Sequence, residues 1–265
     1  MIPVRTDTDI FLPEGYSEYQ IDTDREIELT LRGRGNCDAY IEIRKASKLR
    51  IRTFTEEDAH ISILLWNVCG TEIVTDESHA VDRNGDLTLA YGECNKASTK
   101  RDAYVVLRKE GAHALVSSAS LVSDHKNMHL QVVNEAPHTL GEIRNFAVVL
   151  KTGVLMIDAI GKIVKGAYGS QSHQTSRALS FEDGQRSTIL PELLIDENDV
   201  QASHAMSIGR MDEDQLYYMM SRGLSIEQCT TLVSTGYLMP VTEVIANEEL
   251  KEKLRQELER KISEL

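Results

Sequence analysis

The chain has 265 residues, 41% of them hydrophobic and 27% charged, enough to bury a substantial core. Its 29 basic and 42 acidic residues leave a net charge of −13, which works against a nucleic-acid partner. No run approaches the roughly 18 apolar residues that a membrane-spanning helix needs, and Cys37, Cys69, Cys94 and Cys229 are too scattered for a metal clip or a disulfide framework.

The opening "MIPVRTDTDIFLPEG" lacks a basic stretch followed by an apolar one, so a cytoplasmic location is expected. Residues 1–24 are set apart as an N-terminal extension. From 25 to 210 the dominant pattern has period two: "EIELTLR" turns Ile27, Leu29 and Leu31 to one side, and "DLTLAY" does the same with Leu87, Leu89 and Tyr91. Such alternation marks half-buried strands. It recurs in "HISILLWNV", "AYVVLRKEG", "NFAVVLKTGVLMI" and "STILPELLI" at short intervals. Many short strands make a sandwich, a barrel or a parallel β-helix, and alternation does not separate the three. No strict short repeat settles the matter.

Within this region the cluster Arg44, Lys45, Lys48 and Arg50 reads as a solvated strand face. His125 and His129 in "DHKNMH" lack a third ligand nearby and read as surface histidines. The glycines of "GKIVKGAYGS" invite a phosphate-loop reading, but Gly166 is followed by Ala167 and Tyr168 rather than by Lys and a hydroxyl residue. They are assigned to turns between strands, and nucleotide hydrolysis is not expected.

Residues 211–265 change to helical caps and i, i+4 apolar spacing. Asp212 with Gln215, and Ser225 with Gln228, have capping-box spacing, and Gly223 and Gly236 are placed to end the two helices. Pro240 suits the first turn of a third helix. There Leu250, Leu254, Leu258 and Ile262 form an apolar stripe beside the pairs Glu249/Lys253 and Glu257/Lys261. The tail reads as a compact unit separate from the strands. No nucleophile elbow, metalloprotease helix or Cys–His signature is present, so motifs alone leave function open.

The run "NFAVVLKTGVLMIDAIGKIVKGAYGSQSHQTSRAL", continuing through "ILPELLIDENDVQASHAMSIGRMDEDQLYYMMSRGLS", resembles the SufB/SufD family of iron–sulfur cluster assembly proteins, on its SufD side. The resemblance implies a right-handed parallel β-helix followed by a small C-terminal helical domain. It implies a non-catalytic scaffold of the SUF complex that pairs with a SufB-like paralogue, or with itself as a homodimer. It also implies docking of a SufC-like ATPase that supplies ATP hydrolysis, with Asp212, Gln215, Leu216, Tyr217, Arg222 and Gly223 as candidate partner-binding residues. His204 matches a family histidine at the partner interface and is the candidate iron–sulfur ligand or near-ligand, through a neutral ring nitrogen. No stably bound cofactor is implied, only a transient iron–sulfur cluster.

Two departures stand out. Ala202 occupies the place where some family members carry cysteine, and the chain falls short of the helical region that many SufD proteins carry at the N-terminal end. The alternative is a β-helix module that binds SufC or pairs with itself without a direct iron–sulfur role. A carbohydrate-active β-helix enzyme is the remote third reading.

Overall fold

The computed structural model describes residues 1–181 and 184–263. Among these, strands β1 (Ile2–Val4), β2 (Thr8–Phe11), β3 (Gly15–Asp22), β4 (Ile27–Gly33), β5 (Asn36–Lys45), β6 (Lys48–Thr55), β7 (His60–Asn67), β8 (Ile73–Val81) and β9 (Asp86–Glu93) build the first coils. They continue as β10 (Thr99–Leu107), β11 (His113–Val122), β12 (His125–Asn134), β13 (Leu140–Val149), β14 (Val154–Ile163), β15 (Ser170–Ser180), β16 (Arg186–Ile195) and β17 (Val200–Arg210).

Odd-numbered strands form one sheet and even-numbered strands the other, each in chain order. Every pairing is parallel, for example β4 with β6 and β15 with β17. Parallel neighbours require a crossover, and here each crossover is a strand of the opposite sheet. The result is a parallel β-helix, which removes the sandwich and barrel alternatives. Residues 1–24 hold β1, β2 and β3, which pair with β3, β4 and β5, the last with a register shift at Ile21/Asp22, and so begin the coil stack.

In-register stacking keeps inward residues of successive coils above one another. Leu29 lies beside Ile51, and Leu87 beside Ala114, in one continuous apolar core. The expected alternation of "EIELTLR" and "DLTLAY" is the alternation between this core and the outside. The core is not uniformly apolar. Arg101 pairs with Glu77 and, at 2.6 Å, with Glu93, all three side chains being fully buried. Tyr91 donates its hydroxyl to Glu77 at 2.8 Å, and its ring faces the Arg101 guanidinium. Lys126 donates to Asn95, to the Ala97 carbonyl at 2.7 Å and to Thr99 at 3.0 Å. Burial alone would raise the Glu77 carboxyl, but Arg101, His79 and Tyr91 outweigh it and hold it at about 2.

The chain ends in helices α1 (Glu213–Ser221), α2 (Ile226–Leu238) and α3 (Glu248–Ser263), with a 3-10 turn at Met239–Val244. Asp212 accepts from the amides of Asp214 and Gln215, and Ser225 with Gln228 forms the complete reciprocal box. Gly223 follows α1 at φ +94°, the left-handed position that favours glycine. Two local expectations are corrected. Gly236 lies inside α2, which runs on to Leu238, and Pro240 opens the 3-10 turn rather than α3. A missing N–H is as harmless at the start of a 3-10 turn as at the start of an α-helix, so the proline pattern did not tell them apart.

The tail is also not separate from the strands. Leu250, Leu254, Leu258 and Ile262 of α3, with Leu238, Val241 and Ile245, share one buried cluster with Tyr40, Leu64, Trp66, Ala90, Leu121 and Val148 on the outer face of the odd-strand sheet. A Cβ at Gly92 would lie 2.2 Å from the Trp66 ring, so this glycine makes room for the indole. Of the two spaced ion pairs, Glu257 and Lys261 meet at 3.1 Å, and Lys261 also donates to the Cys94 carbonyl at 3.0 Å.

Candidate functional site

The last coil is the C-terminal open end of the β-helix. β16 and β17 terminate their sheets, so each has a neighbour on one side only. From Gln201 to Arg210 every residue of β17 is exposed, and Leu190, Leu194, Met206 and Ile208 present large apolar side chains between 41% and 47% exposed. Long strand edges with exposed apolar residues are pairing surfaces.

His204 sits in the middle of β17. Its register partner is Gln174 of β15, a buried inward residue, and the register from Ser170/Val200 to Ser180/Arg210 has no shift. The imidazole is therefore on the face that lines the lumen in the preceding coils, and it is exposed because no further coil covers it. Ala202 and Met206 flank it on the same face.

No thiol of this chain accompanies it. Cys37 lies in β5, Cys69 follows β7 and Cys94 follows β9, and all are buried and free. Between β9 and β17 stand four interstrand steps, about 19 Å at 4.7–4.9 Å each. Burial pushes the Cys69 thiol up to about 11 and the Cys94 thiol to about 12, so neither is a ready thiolate. Cys229 is buried in α2. Among the described residues no group of three or more His, Cys, Asp or Glu side chains is arranged to hold a metal ion. Among the described residues His204 is a lone imidazole without companion ligands.

A second surface lies on the tail. α1 buries none of its residues; Tyr217 is 75% exposed, and Tyr218, Met220, Ile226 and Leu232 continue an apolar surface onto α2. Asp212, Gln215, Leu216, Tyr217, Arg222 and Gly223 all fall on α1 or its caps. Arg222 donates to the Tyr218 hydroxyl at 3.2 Å, and Leu216 is half-buried. Between α1, α2, the end of α3 and the Val149–Thr152 turn lies a cleft of about 910 Å³, lined in part by Phe181, Met211, Leu216 and Tyr217. His204 is not part of it.

The other sequence features contribute no side chain to either surface. His125 and His129 lie on β12, hydrogen-bonded to Asp124 at 2.7 Å and Asp158 at 2.8 Å. Gly166 and Gly169 are turn residues with positive φ, whereas Gly161 is inside β14, a correction to its turn assignment. A Cβ there would meet Ser172 Oγ at 2.2 Å, so the glycine is required by lumen packing. No helix among the described residues is long and apolar enough to cross a membrane.

Comparison with known proteins decides the family. Residues 36–237 match the family model described as SUF system FeS cluster assembly, SufBD core domain. The chain belongs to the SufBD family. SufD of Bacillus subtilis is 32% identical over 194 residues, which are 72% of this chain and 44% of that protein. SufB of the same organism is 23% identical over 169 residues, covering 63% of this chain and 36% of the relative. A SufBD-family protein of Mycobacterium bovis is 26% identical over 214 residues, 79% of this chain and 24% of its own length. The SufBD-family chain thus spans less than half the length of these relatives, and its likeness is greater to SufD than to SufB.

The charged lumen cluster is what sequence reasoning missed. Its signal was present: in "IVTDESHAV", Glu77 and His79 share the parity of Ile73 and Val81, and Arg101 shares that of Ala103 and Val105. Charged residues at inward positions announce a buried network.

Proposed function

We propose that this chain is a SufD-like scaffold subunit of iron–sulfur cluster assembly, pairing through its open last coil with a SufB-like subunit and docking a SufC-like ATPase on its tail. The observation that carries the reading is the open end: two unpaired strand edges, exposed apolar residues, and one imidazole on the lumen face with no ligands of its own. Pairing of a second β-helix edge to edge would satisfy the free backbone groups of β17 and bury Met206 and Ile208. It would also bring foreign thiolate or carboxylate atoms to His204, through which iron of the nascent cluster, the cargo of the complex, is held. The same edge supports self-pairing as a homodimer. The exposed Tyr217–Met220 surface supports docking of the ATPase, and the lack of a phosphate loop in this chain agrees with hydrolysis being the partner's task.

A second reading, a β-helix module without an iron–sulfur role, is favoured by Ala202 and by the four or more strand steps between β17 and the strands of Cys37, Cys69 and Cys94. One experiment separates them. The complex is reconstituted with SufB-like and SufC-like subunits and wild-type or His204→Ala chain, and cluster formation is followed under anaerobic conditions. Reduced assembly with unchanged complex formation and thermal stability is the expected result. Wild-type assembly by the variant would remove the ligand role of His204.

A further inference from the structure

From β5 onward, the column of lumen residues that ends at His204 is apolar until its last two members. Read along the odd-strand sheet it runs Ala39, Ile63, Leu89, Val116, Ile143, Gln174, His204. Gln174 is only 3% exposed. Its amide is held at one end: Nε2 donates to the Glu192 carbonyl of β16 at 2.8 Å. Its other end is free, for Oε1 is buried without a hydrogen-bond partner. Gly161 makes the seat, because a Cβ at that position would lie 2.9 Å from Gln174 Nε2.

A buried amide oxygen left unpaired is costly. The group able to satisfy it stands one strand away. In-register side chains on neighbouring parallel strands are stacked at the 4.7–4.9 Å strand spacing, and the exposed imidazole of His204 is free to turn its ring onto the amide below. We propose that Gln174 is a positioning residue for His204, its Oε1 accepting one imidazole N–H and so holding the ring in a single neutral tautomer. The other ring nitrogen then carries its lone pair toward the open end. A histidine whose second nitrogen donates to a fixed acceptor is the usual form of a metal-binding imidazole. The pinned Nε2 matters as much as the free Oε1. It prevents the amide from flipping and offering a donor to the same nitrogen.

The inference rests on the reading of His204 as the cluster-side residue, but its test does not. The full chain is labelled with ¹⁵N-histidine, and the tautomer populations of His204, assigned by the loss of its signals in His204→Ala, are read from long-range ¹⁵N–¹H spectra at about pH 8.5, well above the ordinary imidazole range. Wild-type protein should favour one tautomer several-fold to about tenfold more than a solvent-exposed histidine of the same chain, the bias one ordinary hydrogen bond supplies. Gln174→Met, close in volume and without an acceptor, should lose that bias. Melting of Gln174→Met and wild type, followed by circular dichroism, should agree and guards against misreading a packing defect. Equal tautomer ratios in wild type and Gln174→Met, or a wild-type ratio like that of the exposed histidine, would overturn the proposal. A biased tautomer together with full cluster assembly by His204→Ala would instead leave this contact standing and remove the ligand reading.

Discussion

Arg101→Met should be among the most destabilising single changes in this chain. The guanidinium serves two carboxylates at once, Glu77 and Glu93, and all three side chains are fully buried. Methionine fills much of the volume but leaves both carboxylates without their main partner. Breaking a buried pair in this way costs about 3–5 kcal/mol. The acid side gives a consistent figure: Glu77 is held at about 2 against an ordinary 4.5, worth about 3 kcal/mol at neutral pH. The sign of the pH dependence is the sharper test. In the wild type this contribution is present above pH 4.5 and is lost as pH falls toward 2. Without Arg101, burial governs and raises the Glu77 carboxyl, so the variant gains stability as pH is lowered and the carboxylates take up protons. Urea unfolding followed by circular dichroism, at pH about 7 and about 5, measures both. A loss below about 1 kcal/mol at neutral pH, or a variant that gains nothing relative to wild type at the lower pH, refutes the account.

Deletion of residues 211–265 should yield insoluble or aggregated protein rather than a trimmed β-helix, because it uncovers Leu64, Trp66, Leu121 and Val148 together; a soluble monomer with native strand content, by gel filtration and circular dichroism, would count against this. The less invasive Tyr217→Asp alters a side chain that is 75% exposed, so melting should be unchanged while affinity for a SufC-like ATPase falls at least tenfold in a binding titration. Unchanged affinity would move the docking site off α1.

How much of this was legible beforehand varied with the range of the interaction responsible. Asp212 and Ser225 were readable as caps because a cap is made within four residues. The strands were readable because core and solvent alternate along each one, as at Leu87, Leu89 and Tyr91. Their arrangement was not, since parity says which residues face inward and nothing about whether the neighbour runs parallel; the resemblance supplied that. Gly161 looked like a turn glycine because its reason, Ser172 and Gln174 on the facing sheet, is eleven and thirteen residues away. The stripe on α3 was clear, whereas its destination, the far side of β5, β7, β9, β11 and β13, depends on a partner surface remote in sequence. His204 carried no local signal. Its position follows from the family resemblance, and its setting from the register with Gln174.

The tail spanning five strands of one sheet has a consequence during synthesis. A β-helix of this kind is able to add coils one after another as they leave the ribosome, each resting on the last. Here the outer flank of β5 to β13 stays uncovered until the helical tail has itself emerged, and Tyr40 of β5 is made about two hundred residues before α3 begins at Glu248. The nascent chain therefore carries a growing greasy wall through most of its translation, with Trp66 among the first large residues left waiting. Trp66, its only tryptophan, lies in that wall and would report the moment of closure.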